Sequence, residues 1–180
     1  MAIYYNKVYL TDVSHKNIEQ LRLWRNTPEI KHITREYREI NEEMQQQWFD
    51  THAYSDNTQI HFEIHSTETN GLLGHCSLTN INWVYRSAEF GIYLGEQQQQ
   101  HKGYGGDALK ALIRHGFEDL NMHKMWGETF SFNQKALSAF YKIGFTEECV
   151  LRRAKFINGQ YHDIIVISIL EDEWREKYGE

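Results

Sequence analysis

The stretch Gly95-Glu96-Gln97-Gln98-Gln99-Gln100-His101-Lys102-Gly103-Tyr104-Gly105-Gly106 decides how this chain is read. It follows a run rich in β-forming residues, Ser87 to Leu94, and precedes an apolar stripe of Leu109, Leu112, Ile113, Phe117 and Leu120 at helical spacing. Glycines at the mouth of a helix allow backbone conformations closed to other residues and let main-chain N–H groups approach a ligand. With the unpaired donors of the first helical turn and the positive end of the helix dipole, they form a site for an anion such as a pyrophosphate. His101 and Lys102 add positive charge there. A sharp bend before a helix explains the same glycines without any ligand. Two common nucleotide loops do not fit: the pattern is not G-x-x-x-x-G-K-[ST], and it follows several strands where a dinucleotide fold places its loop after the first.

On the N-terminal side, Val8 to Asp12 reads as a short strand, and Ser14 as the N-cap of a helix to about Asn26 carrying Ile18, Leu21 and Trp24 or Arg25 at helical spacing. Thr27-Pro28-Glu29 opens a second helix, and Asn41-Glu42-Glu43 a third that ends near Ser55. Gln59 to His65 and Leu72 to Trp83 are strands split by the turn Thr69-Asn70-Gly71. On the C-terminal side, Lys124 to Phe130 is a strand, and Asn133 to Ile143 a helix closed by Gly144. Phe145 to Phe156 and Tyr161 to Leu170 are strands joined through Asn158-Gly159. The expected fold is α/β (α+β), a single mixed, mostly antiparallel sheet of about seven strands flanked by helices, in one domain over residues 1–180.

Composition narrows the function classes. Of 180 residues, 41% are apolar and 24% charged, as in a globular protein with a sizeable core. The net charge of −6 and the absence of a basic run argue against duplex nucleic acid as a partner. No apolar run approaches membrane-spanning length, and the first residues lack the build of a secretory signal, so the expected location is the cytoplasm with no membrane partner. Cys76 and Cys149 stand far apart without CxxC spacing, which suits a reducing compartment. His61-Phe62-Glu63-Ile64-His65 is not the H-E-x-x-H zinc pattern and sits in an expected strand, so no metal is expected.

Gln100-x-x-Gly103-x-Gly105 resembles the Q/R-x-x-G-x-G/A coenzyme A loop of the GNAT superfamily of N-acetyltransferases, and the order of elements matches. Asn133-x-x-Ala136 followed by Gly144-Phe145 is similar to the superfamily's next helix. Leu151, Phe156, Gly159, Tyr161, Asp163 and Glu173-Trp174 look like the end of its ribosomal-protein N-terminal acetyltransferase branch. Leu23-Trp24-Arg25-Asn26 and Ile81 to Phe90 most resemble enzymes that acetylate the 4-amino group of nucleotide-linked amino sugars in pseudaminic acid synthesis. Spermidine acetyltransferases share Ala88-Glu89-Phe90 and Ile157-Asn158-Gly159-Gln160-Tyr161.

The resemblance implies acetyl-CoA as co-substrate and a small-molecule primary amine as acceptor, with the amino-sugar nucleotide first. A protein N-terminus, a polyamine, or a non-catalytic acyl-CoA sensor are the alternatives, and a homodimer is left open. The resemblance assigns the cofactor to Ile92, Tyr93, Leu94, Gln100, His101, Lys102, Gly103, Tyr104, Gly105, Gly106 and Asn133. It implies that a neutral amine attacks the thioester directly, so a base must take the amine proton and the leaving thiolate benefits from an acid. Glu89, an acid within an apolar strand, is the candidate base; facing solvent or pairing with Arg86 is the other reading. Tyr141 is the candidate acid, displaced by one residue from the position where many relatives carry tyrosine, which Phe140 fills. One residue turns a helical side chain by about 100°. With Tyr141 turned away, the thiolate takes its proton from water. Trp24, Trp48, Trp83 and Tyr85 form an aromatic set that would line a sugar or base pocket, or pack the core.

Overall fold

A computed structural model describes residues 2–34, 38–52, 57–96 and 102–179. Its centre is an eight-stranded sheet, one strand more than expected, in the order β1-β2-β3-β4-β5-β6-β8-β7. The strands are β1 (Ile3–Tyr5), β2 (Val8–Asp12), β3 (Ile60–Ser66), β4 (Leu72–Asn82), β5 (Ser87–Leu94), β6 (Lys124–Phe130), β7 (Thr146–Ile157) and β8 (Gln160–Leu170). The additional one, β1, has three residues, too few to show a period, and it folds back on β2 through Asn6, whose φ is 44°. Every neighbouring pair is antiparallel except β5 and β6.

Strand alternation sends two unlike sets of side chains to the two faces. Val8, Leu10, Phe62, Ile64, Cys76, Leu78, Ala88, Phe90, Met125 and Ile167 join one apolar core under α4 (Tyr104–Glu118), α5 (Gln134–Ile143) and α6 (Glu171–Tyr178). The other face carries His61, Glu63, His65, His75, Ser77, Glu89 and Tyr93, and a smaller core of Val13, Ile18, Leu21, Trp24, Ile30 and Phe49 covers part of it. That cover comes from α1 (Ile18–Arg25), α2 (Pro28–Ile33) and α3 (Glu42–His52). Ser55, the expected end of α3, lies outside the described residues.

Local chemistry sets these helices. The chain after Ser14 turns as a 3-10 segment, His15–Asn17, before α1 begins, and the Ser14 side chain caps nothing. The capping acid is supplied from the sheet: buried Glu63 accepts from the Ser14 amide at 2.8 Å, from Asn17 Nδ2 at 2.8 Å and from His65 Nε2 at 2.9 Å. A buried carboxylate with this many donors at a helix start is satisfied, and it ties α1 to β3. Trp24 of α1 lies flat on Gly95, where any added Cβ would fall within the indole ring. No helix among the described residues is long and apolar enough to cross a membrane.

Candidate functional site

The two parallel strands diverge. β5 and β6 pair only at Ser87↔Lys124, Ala88↔Met125 and Glu89↔Trp126, although both continue for four or five more residues. Beyond Glu89 the strands open into a V, leaving one edge of Phe90–Leu94 without a neighbouring strand among the described residues, while its other edge stays on β4. Ile92, Tyr93 and Leu94 therefore offer main-chain groups to the cleft. Both strands run toward the open end, so α4 starts on one side of the V and α5 on the other.

At the mouth of α4, Gly103 is the N-cap with φ 88°, a left-handed conformation that selects glycine. No side chain caps this helix, and its first backbone bond is Asp107 N to Gly103 O, so the amides of Tyr104, Gly105 and Gly106 lie outside the helical ladder. A Cβ on Gly103 or Gly106 would meet nothing within 4 Å, and one on Gly105 would make only ordinary contact with Leu94 at 3.6 Å. Protein packing does not require glycine at 105 or 106, whereas an anion drawn onto the amides does; the residues present fit the diphosphate of acetyl-CoA. Lys7 Nζ donates to Lys102 O at 3.2 Å, and a cavity of ≈ 410 Å³ beside them is lined by Lys7, Ser66, Thr67, Glu68, Lys102 and Tyr104. Tyr104 offers a main-chain amide only, because its ring is buried in the core. Gln100 and His101 lie outside the described residues.

Across the V, Asn133 caps α5, its side chain accepting from the Ala136 amide at 3.3 Å. Gly144 closes that helix at φ 119°, taking bonds to the Phe140 and Tyr141 carbonyls. Phe140 is the residue that reaches β5 where the strands part, its ring 5.4 Å from that of Phe90. Tyr141 is 44% exposed and donates its hydroxyl to Glu147 at 3.1 Å. Desolvation first, and that bond second, hold its phenol above the ordinary value. The expected acid is thus turned away from the cleft.

Glu89 sits at the vertex, 4% exposed, on the face opposite Phe90. It is not a solvated strand residue, and it does not pair with Arg86, which binds Asn121 O at 2.6 Å, Asn121 Oδ1 at 2.8 Å and Glu171 at 3.1 Å. Its carboxylate accepts from Asn80 Nδ2 at 2.7 Å. Glu128 of β6 falls on the same face, since Gly127 beside it faces Phe90. Further along β5, Tyr93 stacks on His75, which is 3.2 Å from His61, and Trp48 packs edge-on against both histidines. Burial, then His61 and Arg25, push His75 well below its ordinary value, and burial pushes the Tyr93 phenol up. Arg25 Nε is buried with no hydrogen-bond partner among the described residues.

The aromatic set does not line one pocket. Trp24 and Trp48 pack over the sheet, whereas Trp83 is 46% and Tyr85 76% exposed on the β4–β5 turn. Among the described residues no group of three His, Cys, Asp or Glu is placed to hold a metal ion. His61 binds Gln59 and His75, and His65 binds Glu63. Neither Asn80 nor Glu63 stands out as a functional residue in the sequence: the first meets Glu89 across a strand pair, and the second meets Ser14 and Asn17 from a distant segment.

The acetyltransferase (GNAT) domain pattern matches residues 7–146. The chain belongs to the GNAT acetyltransferase family. It is an acetyl-CoA-dependent N-acetyltransferase with the family's fold, an open mixed sheet flanked by helices. A spermidine N(1)-acetyltransferase of Vibrio cholerae is 33% identical over 119 residues, 66% of this chain and 68% of that protein. The acetyltransferase PseH of Campylobacter jejuni is 26% identical over 137 residues, 76% of this chain and 81% of that one. The crystal structure of the V. cholerae enzyme in complex with CoA and spermine superposes with a TM-score of 0.86 at 25% identity, covering 94% of this chain and 98% of that one.

Proposed function

We propose that this enzyme acetylates a small cationic primary amine, a polyamine first, in the V between β5 and β6, with Glu89 taking the amine proton. When bound, acetyl-CoA supplies a thioester whose acetyl group passes to the amine nitrogen as the thiol is released. The amides at 104–106 and the edge of Phe90–Leu94 that faces the V hold and orient it, which supplies much of the rate by fixing the reactants in register. Glu89 receives the proton lost by nitrogen, directly or through one water. Phe140 has no proton to give, so the sulfur takes its proton from water, as a thiol's ordinary pKa of roughly 8.5 permits.

The observation that carries this reading is the buried Glu89 carboxylate at the last paired rung, facing away from the core, where the strands begin to part. Glu128 on the same face of β6 gives a second negative wall, which suits a cationic acceptor. The similarity to spermidine N(1)-acetyltransferases supports the same class.

Arg25 favours a second reading. Its Nε, without a hydrogen-bond partner among the described residues, and its position beside His75 and Tyr93 suit an acceptor carrying an anion, such as the diphosphate of a nucleotide-linked amino sugar, and PseH is among the relatives. Thiol release from acetyl-CoA is to be measured with spermidine, a UDP-linked 4-amino sugar and a ribosomal N-terminal peptide. Preference for spermidine is expected, with Arg25→Ala leaving it within about threefold. Preference for the sugar nucleotide, lost in Arg25→Ala, replaces the first reading with the second, and no turnover with any amine overturns both.

A further inference from the structure

The pairing of β4 with β5 slips by one residue beside Glu89. Thr79 faces Glu89 and Asn82 faces Ser87, so two residues of β4, Asn80 and Ile81, stand against Ala88 alone. The consequence is visible in the core. Leu78 and Ile81 are both buried in the large apolar cluster although they are three positions apart, an odd spacing that a regular strand would send to opposite faces. Without the bulge, Asn80 would share the apolar face of Leu78, and Ile81 would face the acceptor side. With it, Ile81 enters the core and the exposed Asn80 comes round to the face of Glu89, 2.7 Å from its Oε2.

The backbone at Asn80 has φ 49°, a left-handed conformation that asparagine adopts more readily than most residues. One residue therefore meets two demands: it accepts the bulge conformation, and it presents an amide N–H₂ to a buried carboxylate. Bulges re-aim side chains in this way. An amide donor lowers the cost of holding a carboxylate away from bulk water and fixes the orientation of its plane.

We infer that Asn80 is a positioning residue for acetyl transfer: through the β4 bulge it holds the Glu89 carboxylate, by Oε2, in a fixed orientation at the vertex of the V. This rests on the assignment of Glu89 as the base. It gives the bulge a specific task, which is to put a donor beside the base while keeping the core beneath it apolar.

The test uses Asn80→Gly, which keeps the left-handed backbone and removes the donor, and Asn80→Asp, which keeps the shape and turns a second carboxylate toward Glu89. Thermal melts establish that both are folded. Rates are measured with whichever amine of the above panel turns over fastest. For Asn80→Gly a roughly tenfold loss in kcat with unchanged KM for acetyl-CoA is expected, a fraction of the roughly 100-fold or greater effect of a general base. For Asn80→Asp the loss relative to the parent should be about tenfold larger at pH 6.5 than at pH 8.5, because protonation compensates for a neighbouring negative charge. On a Glu89→Gln background, Asn80→Gly should cost nothing further. If Glu89→Gln slows turnover by about 100-fold while both Asn80 variants stay within twofold of the parent, the inference is wrong and Glu89 stands. If Glu89→Gln keeps the parent kcat, the assignment of the base is what fails, and the role of Asn80 fails with it.

Discussion

At the scale of single residues, the polar face of the sheet carries the proposed base, Glu89, and also a liability. His75 is enclosed by Tyr93, His61 and Trp48, and burial keeps it neutral well below the ordinary histidine range. In the unfolded chain it takes up a proton near pH 6.5. The folded state binds fewer protons in the window below that value, so stability is complete above about pH 6.5 and falls as the pH drops through it toward the depressed folded value. The limiting slope from one such group is about 1.4 kcal/mol per pH unit. Urea denaturation at pH 7.5 and 5.5 should show the parent losing stability, and His75→Phe losing about 1 kcal/mol less over the same interval. An equal loss in both places the acid sensitivity elsewhere. Tyr141 shows the same precision in another setting. The count from Asn133 to Phe140 already implied that the tyrosine would be turned off the cleft, and the hydroxyl is bound to Glu147. The Asn80–Glu89 bond gave no such warning, because it depends on a bulge and a positive φ that no local pattern announces.

Among elements, the mouth of α4 is where local sequence and the proposed cofactor site coincide. Three glycines within four residues, a strong apolar stripe behind them and a β-run ahead of them mark a candidate strand–loop–helix anion site in the sequence. The structure adds the reason that Gly105 and Gly106 differ from Gly103: the last is required by its own backbone, and the first two leave room that the protein does not fill. The following variants separate these roles. Gly105→Ala adds a methyl at ordinary contact distance from Leu94 and favours the helix, so its melting temperature should be equal to or above that of the parent. Gly105→Glu should fold equally well and lower acetyl-CoA affinity by about 100-fold or more in calorimetry, since it puts a carboxylate where an anion has to lie. Retained affinity in Gly105→Glu with an unchanged melt would remove the loop from the site. Other elements were less legible. β1 is too short to show alternation, and the start of α1 is capped by Glu63 from a strand some fifty residues away, a long-range contact that hides from any reading of Ser14 and its neighbours.

For the whole molecule, the telling feature is where the family pattern stops. It ends at residue 146, yet β6 has seven antiparallel partners on β8, from Lys124↔Leu170 to Phe130↔Ile164. Ile165, Ile167 and Ile169 complete the large core, and Trp174 of α6 closes it against Phe117 and Tyr178 at 3% exposure. The arm of the V formed by β6 is therefore held in place by chain that follows the matched segment: without β8 its outer edge is unpaired. Such an edge is an aggregation template and cannot hold a cleft open at a fixed width. Residues 1–146 expressed alone should consequently be insoluble or bind no acetyl-CoA. In the full chain, Trp174→Ala should cost about 3–5 kcal/mol, lowering the melting temperature by about 2–4 °C for each kcal/mol. Because Trp174 of α6 packs in the core and Lys177 and Tyr178 meet the C-terminal end of α5, away from the α4 mouth and Glu89, kcat at 20 °C should change little in the fraction of Trp174→Ala that remains folded. A variant that melts like the parent but has lost acetyl transfer would mean that α6 takes part in the site, and that the sheet's far end does more than brace it.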